Sequence, residues 1–420
     1  MIVLKTNPSF TTKLNSTRIV FFLTLLFLSM PAKAEDPDSI LIKELQAQMH
    51  LLRVEEGLLK GGSGLVEALI GAQFVLIGEQ HGIREVPDFS GALFREAQKA
   101  GFSYLCIETD PFMASRLEQL ARNGKSAFQT FNQAFPMSVP FYNWVEEFQF
   151  LEQSLAQLTD GKPRLWGIDQ VFMAAPRYLF SRLAELAHDE QSRHTAKEYL
   201  DRARQAFDEV IQTGDPGKLI MVALSPHDYQ KLKMAFADNP QQETHRIISG
   251  IQKSQDIYML WFQGKQYENN RNRSRWMKSK FMEYYREAVR SEEMPRVLLK
   301  FGSGHMSRGL SKFEQYDIGN MVSELAEING SYSLHINVVG LRGMAAQAFG
   351  PPQAFDRTAS MPAVLLKALE GKTDGDNWIL LDMRPLRSRV NPALLHPIRD
   401  MVFGFDFYVF VPRATPVNSF

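Results

Sequence analysis

Seven short runs constrain this chain more than any other feature: AQFVLIG, FSYLCIE, PRLWGID, PRVLLKFG, LHINVVGL, WILLDM and FDFYVFV. Several are apolar at almost every position. A strand with one face in water alternates apolar and polar residues, whereas a strand covered on both faces reads as a continuous apolar run. Between the runs lie amphipathic stretches at helical spacing, among them PDFSGALFREAQKAGF, AAPRYLFSRLAELAH and KFEQYDIGNMVSELAEI. Strand, helix and strand repeated in this way predict an α/β fold: a mostly parallel central sheet flanked by helices and joined by right-handed crossovers.

Two regions break the rhythm. Residues 35–71 read as an N-terminal helical segment ahead of the first strand, with GGSG at 61–64 as a turn. Residues 190–292 carry no convincing strand, are rich in Lys, Arg, Glu, Gln and Met at helical spacing, and predict a large helical insertion. The α/β core then falls into two parts, residues 72–189 and 293–420.

The N-terminus has the three-part layout of a secretory signal peptide over residues 1–34. Lys5, Lys13 and Arg18 precede the apolar run IVFFLTLLFL, and Ala32-Lys33-Ala34 follows it. The run is well short of the roughly 20 residues that a membrane-spanning helix requires. The expectation is a periplasmic or secreted protein with no membrane span once the leader is removed. Basic and acidic residues balance at 47 each, and loss of the leader removes Lys5, Lys13, Arg18 and Lys33 but no carboxylate. The slightly acidic remainder offers no basic footprint for nucleic acid. Cys106 is the single cysteine, so no intramolecular disulfide exists and stability must come from an apolar core.

In an open parallel sheet, ligands bind in the crevice outside the carboxyl ends of the strands. The first run ends in Gly78-Glu79-Gln80-His81-Gly82, the second in Glu108-Thr109-Asp110, the third in Asp169-Gln170 and the fourth in Gly302-Ser303-Gly304-His305. Later runs end near Arg342 and in Asp382-Met383-Arg384, which makes six strand ends expected to present ionisable groups to one edge. Alone, Glu108 or Asp169 reads as a helix cap and Arg384 as a surface partner of Asp382. Two histidines, each flanked by glycine that allows close backbone approach, point instead to a shared site.

LIGEQHGIREV, LCIETDP, LWGIDQ, RSRWM, KFGSGHMSRG and FDFYVFVPRATP, in this order, resemble the erythromycin esterase-like family, which belongs with haem-binding ChaN-type and Tiki-type proteins in a wider superfamily. The resemblance runs from about residue 70 to 416. It implies a glutamate and a general-base histidine at Glu79 and His81, a further glutamate at Glu108, the later histidine at His305 and the long-helix arginine at Arg273. Two positions depart from the family pattern. One residue, Gln80, separates Glu79 from His81 where the esterases have two, and Gly302 stands where they carry the first of two histidines.

These residues suit hydrolysis, and the resemblance implies a small-molecule ester or lactone as the substrate. An imidazole with a pKa near 6.5 takes a proton from water at neutral pH and returns it to a leaving group. His81 is the expected base, oriented by Glu79 or Glu108, with His305 and Arg273 stabilising the oxyanion. Arg84, Asp169 and Trp276 are the candidate substrate-binding residues. No GxSxG elbow is present, which favours direct attack by water over a covalent serine. No cofactor is required by this scheme. The same Glu79, His81, Glu108 and His305 also suit a divalent metal, which would make a metal-dependent hydrolase or protease. A third reading is a periplasmic binder of haem or another large ligand, its pocket lined by Tyr142, Trp144, Tyr267 and Trp276.

Overall fold

A computed structural model describes residues 36–156, 158, 161–348, 350–373 and 377–420. The leader expected over residues 1–34 lies outside them. The strands are β1 (Met49–Glu55), β2 (Leu58–Gly61), β3 (Ala72–Glu79), β4 (Tyr104–Ile107), β5 (Leu165–Gly167), β6 (Val297–Gly302), β7 (Tyr332–Ala345), β8 (Gln353–Asp356), β9 (Trp378–Asp382) and β10 (Phe407–Ala414). They form one sheet in the order β2-β1-β9-β10-β7-β3-β6-β4-β5, with β8 paired to β7. The six strands from β10 to β5 are mutually parallel, and all seven apolar runs fall on strands.

Both faces of this sheet are covered, which is why the runs do not alternate. Every residue of β3, β4 and β5 is buried. Val75 and Ile77 of β3, with Leu105, Ile107 and Leu298, enter the core under the helices Glu85–Lys99, Pro111–Asn123 and Val145–Ala156. Phe74 and Leu76, with Cys106, Val297 and Leu299, enter the opposite core under Pro37–Ala47, Gln266–Ala288 and Ile318–Ile328. Complete burial of such aliphatic side chains stabilises the fold by roughly 1.5–3 kcal/mol each.

The expected helical segment at 35–71 is only partly helical. Helices Pro37–Ala47 and Ser63–Gly71 flank a hairpin of β1 and β2, which extends the sheet through β9. Its turn is Glu56-Gly57, both at positive φ (51° and 71°), the conformation that two-residue hairpins favour. Residues 190–288 contain helices and no strand among the described residues, ending in two long ones, Gln242–Phe262 and Gln266–Ala288. No helix among the described residues is long and apolar enough to cross a membrane.

One of the six expected strand ends does not reach the common edge. β9 runs antiparallel to β10, so Asp382 sits beside Phe407 at the opposite end of the sheet, where its carboxylate holds Arg384 at 2.7 and 2.9 Å. β7 runs parallel to β3 and β10, so its end lies at the common edge, but Arg342 pairs in register with Asp356 of β8 and does not line the site.

Candidate functional site

Register and alternation place the first cluster. Ile77 pairs with Lys300, so Lys300 shares the face of Leu298, Val75 and Ile77 and points toward the helix Val145–Ala156. Glu79, two residues beyond Ile77, points the same way. Lys300 is fully buried, and its Nζ donates to Glu79 Oε2 at 2.5 Å and to Glu147 at 2.8 and 3.0 Å. Burial would lower an isolated ammonium, but Glu147 and Glu79 outweigh it and hold Lys300 above its ordinary pKa. One cation cannot fully serve two carboxylates. Burial therefore pushes the Glu147 carboxyl up to about 7, with Lys300 opposing and Glu79 adding to the rise.

His81 lies at the mouth of this cluster. Its Nδ1 is 3.0 Å from Glu79 Oε1, an ion-pair contact with the ring nitrogen out of line for a good hydrogen bond. The ring lies flat on Phe141, with centroids 3.9 Å apart and planes 3° apart. Phe141 itself sits at φ 67°, a left-handed conformation that costs a bulky residue of order 1–3 kcal/mol, so the surrounding structure must hold it there. Gly82, at φ 84°, lets the chain turn tightly: a Cβ there would lie 2.2 Å from Ala346 O. Burial lowers the His81 pKa, but the charge of Glu79 and then of Glu108 outweighs it, so the imidazole is held above its ordinary value.

Glu108, at the end of β4, is the hub of the second cluster. Its Oε2 accepts from Gly302 N at 2.6 Å and its Oε1 from Arg273 Nη2 at 2.7 Å. His81 Nε2 is 3.5 Å from Oε2, and His305 Nε2 is 3.7 Å from Oε1. Burial would raise this carboxyl, yet His81, His305 and Arg273 together hold it down at about 2. Arg273, on the helix Gln266–Ala288, is clamped by both oxygens of Asp169 at 2.6 and 2.9 Å. His305 is on the short helix Ser303–Met306, and its Nδ1 is 2.7 Å from Asp317, the N-cap of Ile318–Ile328. Two imidazoles, each backed by a carboxylate at Nδ1, thus turn Nε2 toward Glu108. Both gaps to Glu108 exceed a hydrogen bond, which leaves each Nε2 open to a ligand.

The site opens into a cleft of about 710 Å³ whose walls include Glu79, His81, Glu108, Asp169, Arg273 and His305. The structure brings these expected residues together and leaves out two. Arg84 lies outside the cleft, exposed and paired with Asp88 at 3.6 Å. Trp276 is behind Asp169, donating to its carbonyl at 3.0 Å while its ring lines a separate groove beside Phe112 and Arg246. Tyr142 and Trp144 are core residues and Tyr267 is exposed, so none of the four aromatics expected to line a haem pocket faces the cleft. Helix capping at the second strand end falls to Asp110, which accepts from Phe112 N and Met113 N, while Asp169 is spent on Arg273.

Sequence reading missed Lys300, Glu147 and Asp317. A lysine inside the run VLLKFG is itself a cue, since no buried strand carries a charge without a partner. Gly302 acquires a reason of its own: a Cβ there would lie 3.0 Å from His81 Nε2 and 3.4 Å from Glu108 Oε2. Any side chain at this position would press on the two groups that face the cleft.

No protein-family model matches the chain, and no curated protein matches it in sequence. Solved structures do match. A Bacillus cereus protein superposes with a TM-score of 0.58 at 15% identity over 91% of this chain and 99% of that one. A succinoglycan biosynthesis protein gives 0.59 at 15% identity over 91% and 98%. A mutant of the erythromycin esterase EreC in its open conformation gives 0.55 at 15% identity over 84% and 94%. This chain shares its fold with an erythromycin esterase. At this identity the likeness is one of fold, and the chemistry rests on the residues.

Proposed function

We propose that the protein is an exported hydrolase that opens an ester or lactone by attack of water, with His81 as the general base. The observation that carries the reading is the His81 ring, held by Glu79 behind and Phe141 beneath, with Nε2 free toward the cleft. Water approaching this Nε2 loses its proton to the ring as its oxygen bonds to the carbonyl carbon, and the ring returns that proton to the leaving alkoxide as the acyl C–O bond breaks. His305, whose Nδ1 is held 2.7 Å from Asp317, then serves the carbonyl oxygen or the leaving group from the other side of Glu108. Arg273 binds Asp169 and Glu108 through Nε and Nη2, and so fixes Glu108 in the wall of the cleft. Cys106 is buried in β4 with its thiol pushed well above the ordinary value, and no described serine or cysteine is hydrogen-bonded to His81 or His305. This supports water, not a side chain, as the nucleophile.

The donor set fits a divalent metal poorly. Glu79, His81 and Glu108 offer atoms within 4.8 Å of one another, but Lys300 occupies Glu79 while Arg273 and Gly302 N occupy Glu108. A cation there would compete with two fixed positive charges for carboxylates already satisfied. The test is a hydrolysis screen on esters and lactones, macrolides included, with wild type beside His81→Ala and Glu108→Ala. Turnover of at least one substrate by wild type, lost in both variants, is expected; identical behaviour on every substrate would overturn the assignment.

A further inference from the structure

The charged groups of the cleft are not all accounted for by one another. Glu79, Glu108 and Asp169 are matched by Lys300, Arg273 and the two histidines. Two further cations line the same cleft, Lys312 and Arg357, and no described carboxylate lies within ion-pair distance of either. Asp356, the nearest acid in sequence to Arg357, is turned to Thr358, accepting from its N at 2.8 Å and its hydroxyl at 2.5 Å. Arg357 is tied down through its backbone, which donates to Leu341 O at 2.8 Å.

Lys312 is also held in place. Its stem packs on the backbone of Gly304, where a Cβ would meet Lys312 Cε and the Phe313 ring at 2.4 Å each. Its Nζ is 5.3 Å from the Phe313 centroid, and the other neighbour of that ring is His305, at 4.7 Å. The ammonium therefore stands one aromatic ring away from the second imidazole of the site. Arg357 lines the same cleft, and burial first and then this like charge lower the Lys312 pKa, against the pull of Glu108. Burial lowers Arg357 as well. Both side chains remain exposed over part of their length, as groups waiting at a rim would be. Two like charges lining one cleft, with no described carboxylate at ion-pair distance, are a favourable setting for an anion, and a carboxylate or phosphate supplies the acceptor oxygens that both donors lack.

Building on the hydrolase reading, we propose that the substrate is an anionic ester whose carboxylate, or other acidic group of like chemistry, is held at the rim by Lys312 and Arg357. The Phe313 ring then separates the charged end from the bond that is cut.

The test uses 4-nitrophenyl esters whose acyl chain ends either in a carboxylate or in the neutral carboxamide. Wild type is expected to favour the carboxylate ester by about tenfold in KM, the effect of one charge-assisted contact. Lys312→Gln and Arg357→Gln each bring the ratio of the two KM values toward one, and Arg357→Lys retains most of the preference. Calorimetry with glutarate, compared with glutaramide, reads the same site without turnover. If no ester is cleaved but glutarate binds wild type and not the double Gln variant, the anion site stands and the hydrolase reading falls. Equal affinity for glutarate and glutaramide, or glutarate binding that survives in the double variant, overturns the proposal.

Discussion

Replacing Lys300 by methionine isolates what the buried charge cluster contributes. The side chain stays unbranched, one heavy atom shorter, and loses its charge, leaving Glu79 and Glu147, both almost fully buried, without the ammonium that lies 2.5 to 3.0 Å from their oxygens. Removing one partner of a buried ion pair costs about 3–5 kcal/mol, because the remaining charge stays desolvated. The variant can escape part of this cost by taking up protons. Glu147 is already at about 7 with Lys300 present and loss of the cation raises it further, while Glu79, which Lys300 and His81 hold below its ordinary value against burial, is released upward. A carboxyl whose folded pKa lies above its unfolded value contributes stability at low pH that disappears as pH rises through the folded value. The deficit of Lys300→Met relative to wild type is therefore smaller at pH 5.5 and full at pH 8. Urea denaturation midpoints and slopes at the two pH values measure it, and Lys300→Met/Glu147→Gln recovers part of the loss at pH 8 by removing one stranded charge. A deficit below about 1 kcal/mol at pH 8, or one that does not change with pH, would refute the reasoning.

The His81 imidazole is expected to titrate above its ordinary value when followed by NMR, and Glu79→Gln to move it down because the carboxylate that raises it most is neutralised; an unmoved titration contradicts the contact. The acidic limb of kcat/KM follows the same group, so activity rises with pH through the raised His81 pKa and Glu79→Gln shifts the limb to lower pH. Gly302→Ala, whose Cβ meets His81 Nε2 at 3.0 Å, lowers kcat/KM by about 10²-fold through displaced catalytic groups, while its φ of −50° suits alanine and the melting temperature changes little. Asp317→Asn removes the charge behind His305 and lowers kcat by about 10²-fold or more without raising KM.

The parallel core was legible because complete burial leaves its mark at every position of a strand. The strand-end rule then placed Glu79, His81, Glu108, Asp169 and His305 at one edge, and the structure brings all five to the cleft. Strand direction leaves no such mark. WILLDM reads like its parallel neighbours, and only the pairing of β9 with β10 shows that Asp382 and Arg384 face away. MHLLRVEEGLLKG has spacing that suits a helix, and Glu56-Gly57 at positive φ turns it into a hairpin that extends the sheet. Arg273 came from resemblance alone, since a guanidinium among the many charges of a solvated helix has no distinguishing pattern. Glu147 was hidden for a similar reason: Glu146 and Glu147 look alike at a helix start, yet one binds Asn418 and the other Lys300.

The central claim is that His81 activates water in a site where Lys300 and Arg273 already satisfy the carboxylates. Its most direct test is ester hydrolysis by wild type and His81→Asn in buffer containing a strong chelator. The account predicts unchanged wild-type turnover under chelation and a loss of about 10²- to 10⁴-fold in His81→Asn. Wild-type activity that vanishes on chelation and returns with added metal, or a His81→Asn rate equal to wild type, would contradict it.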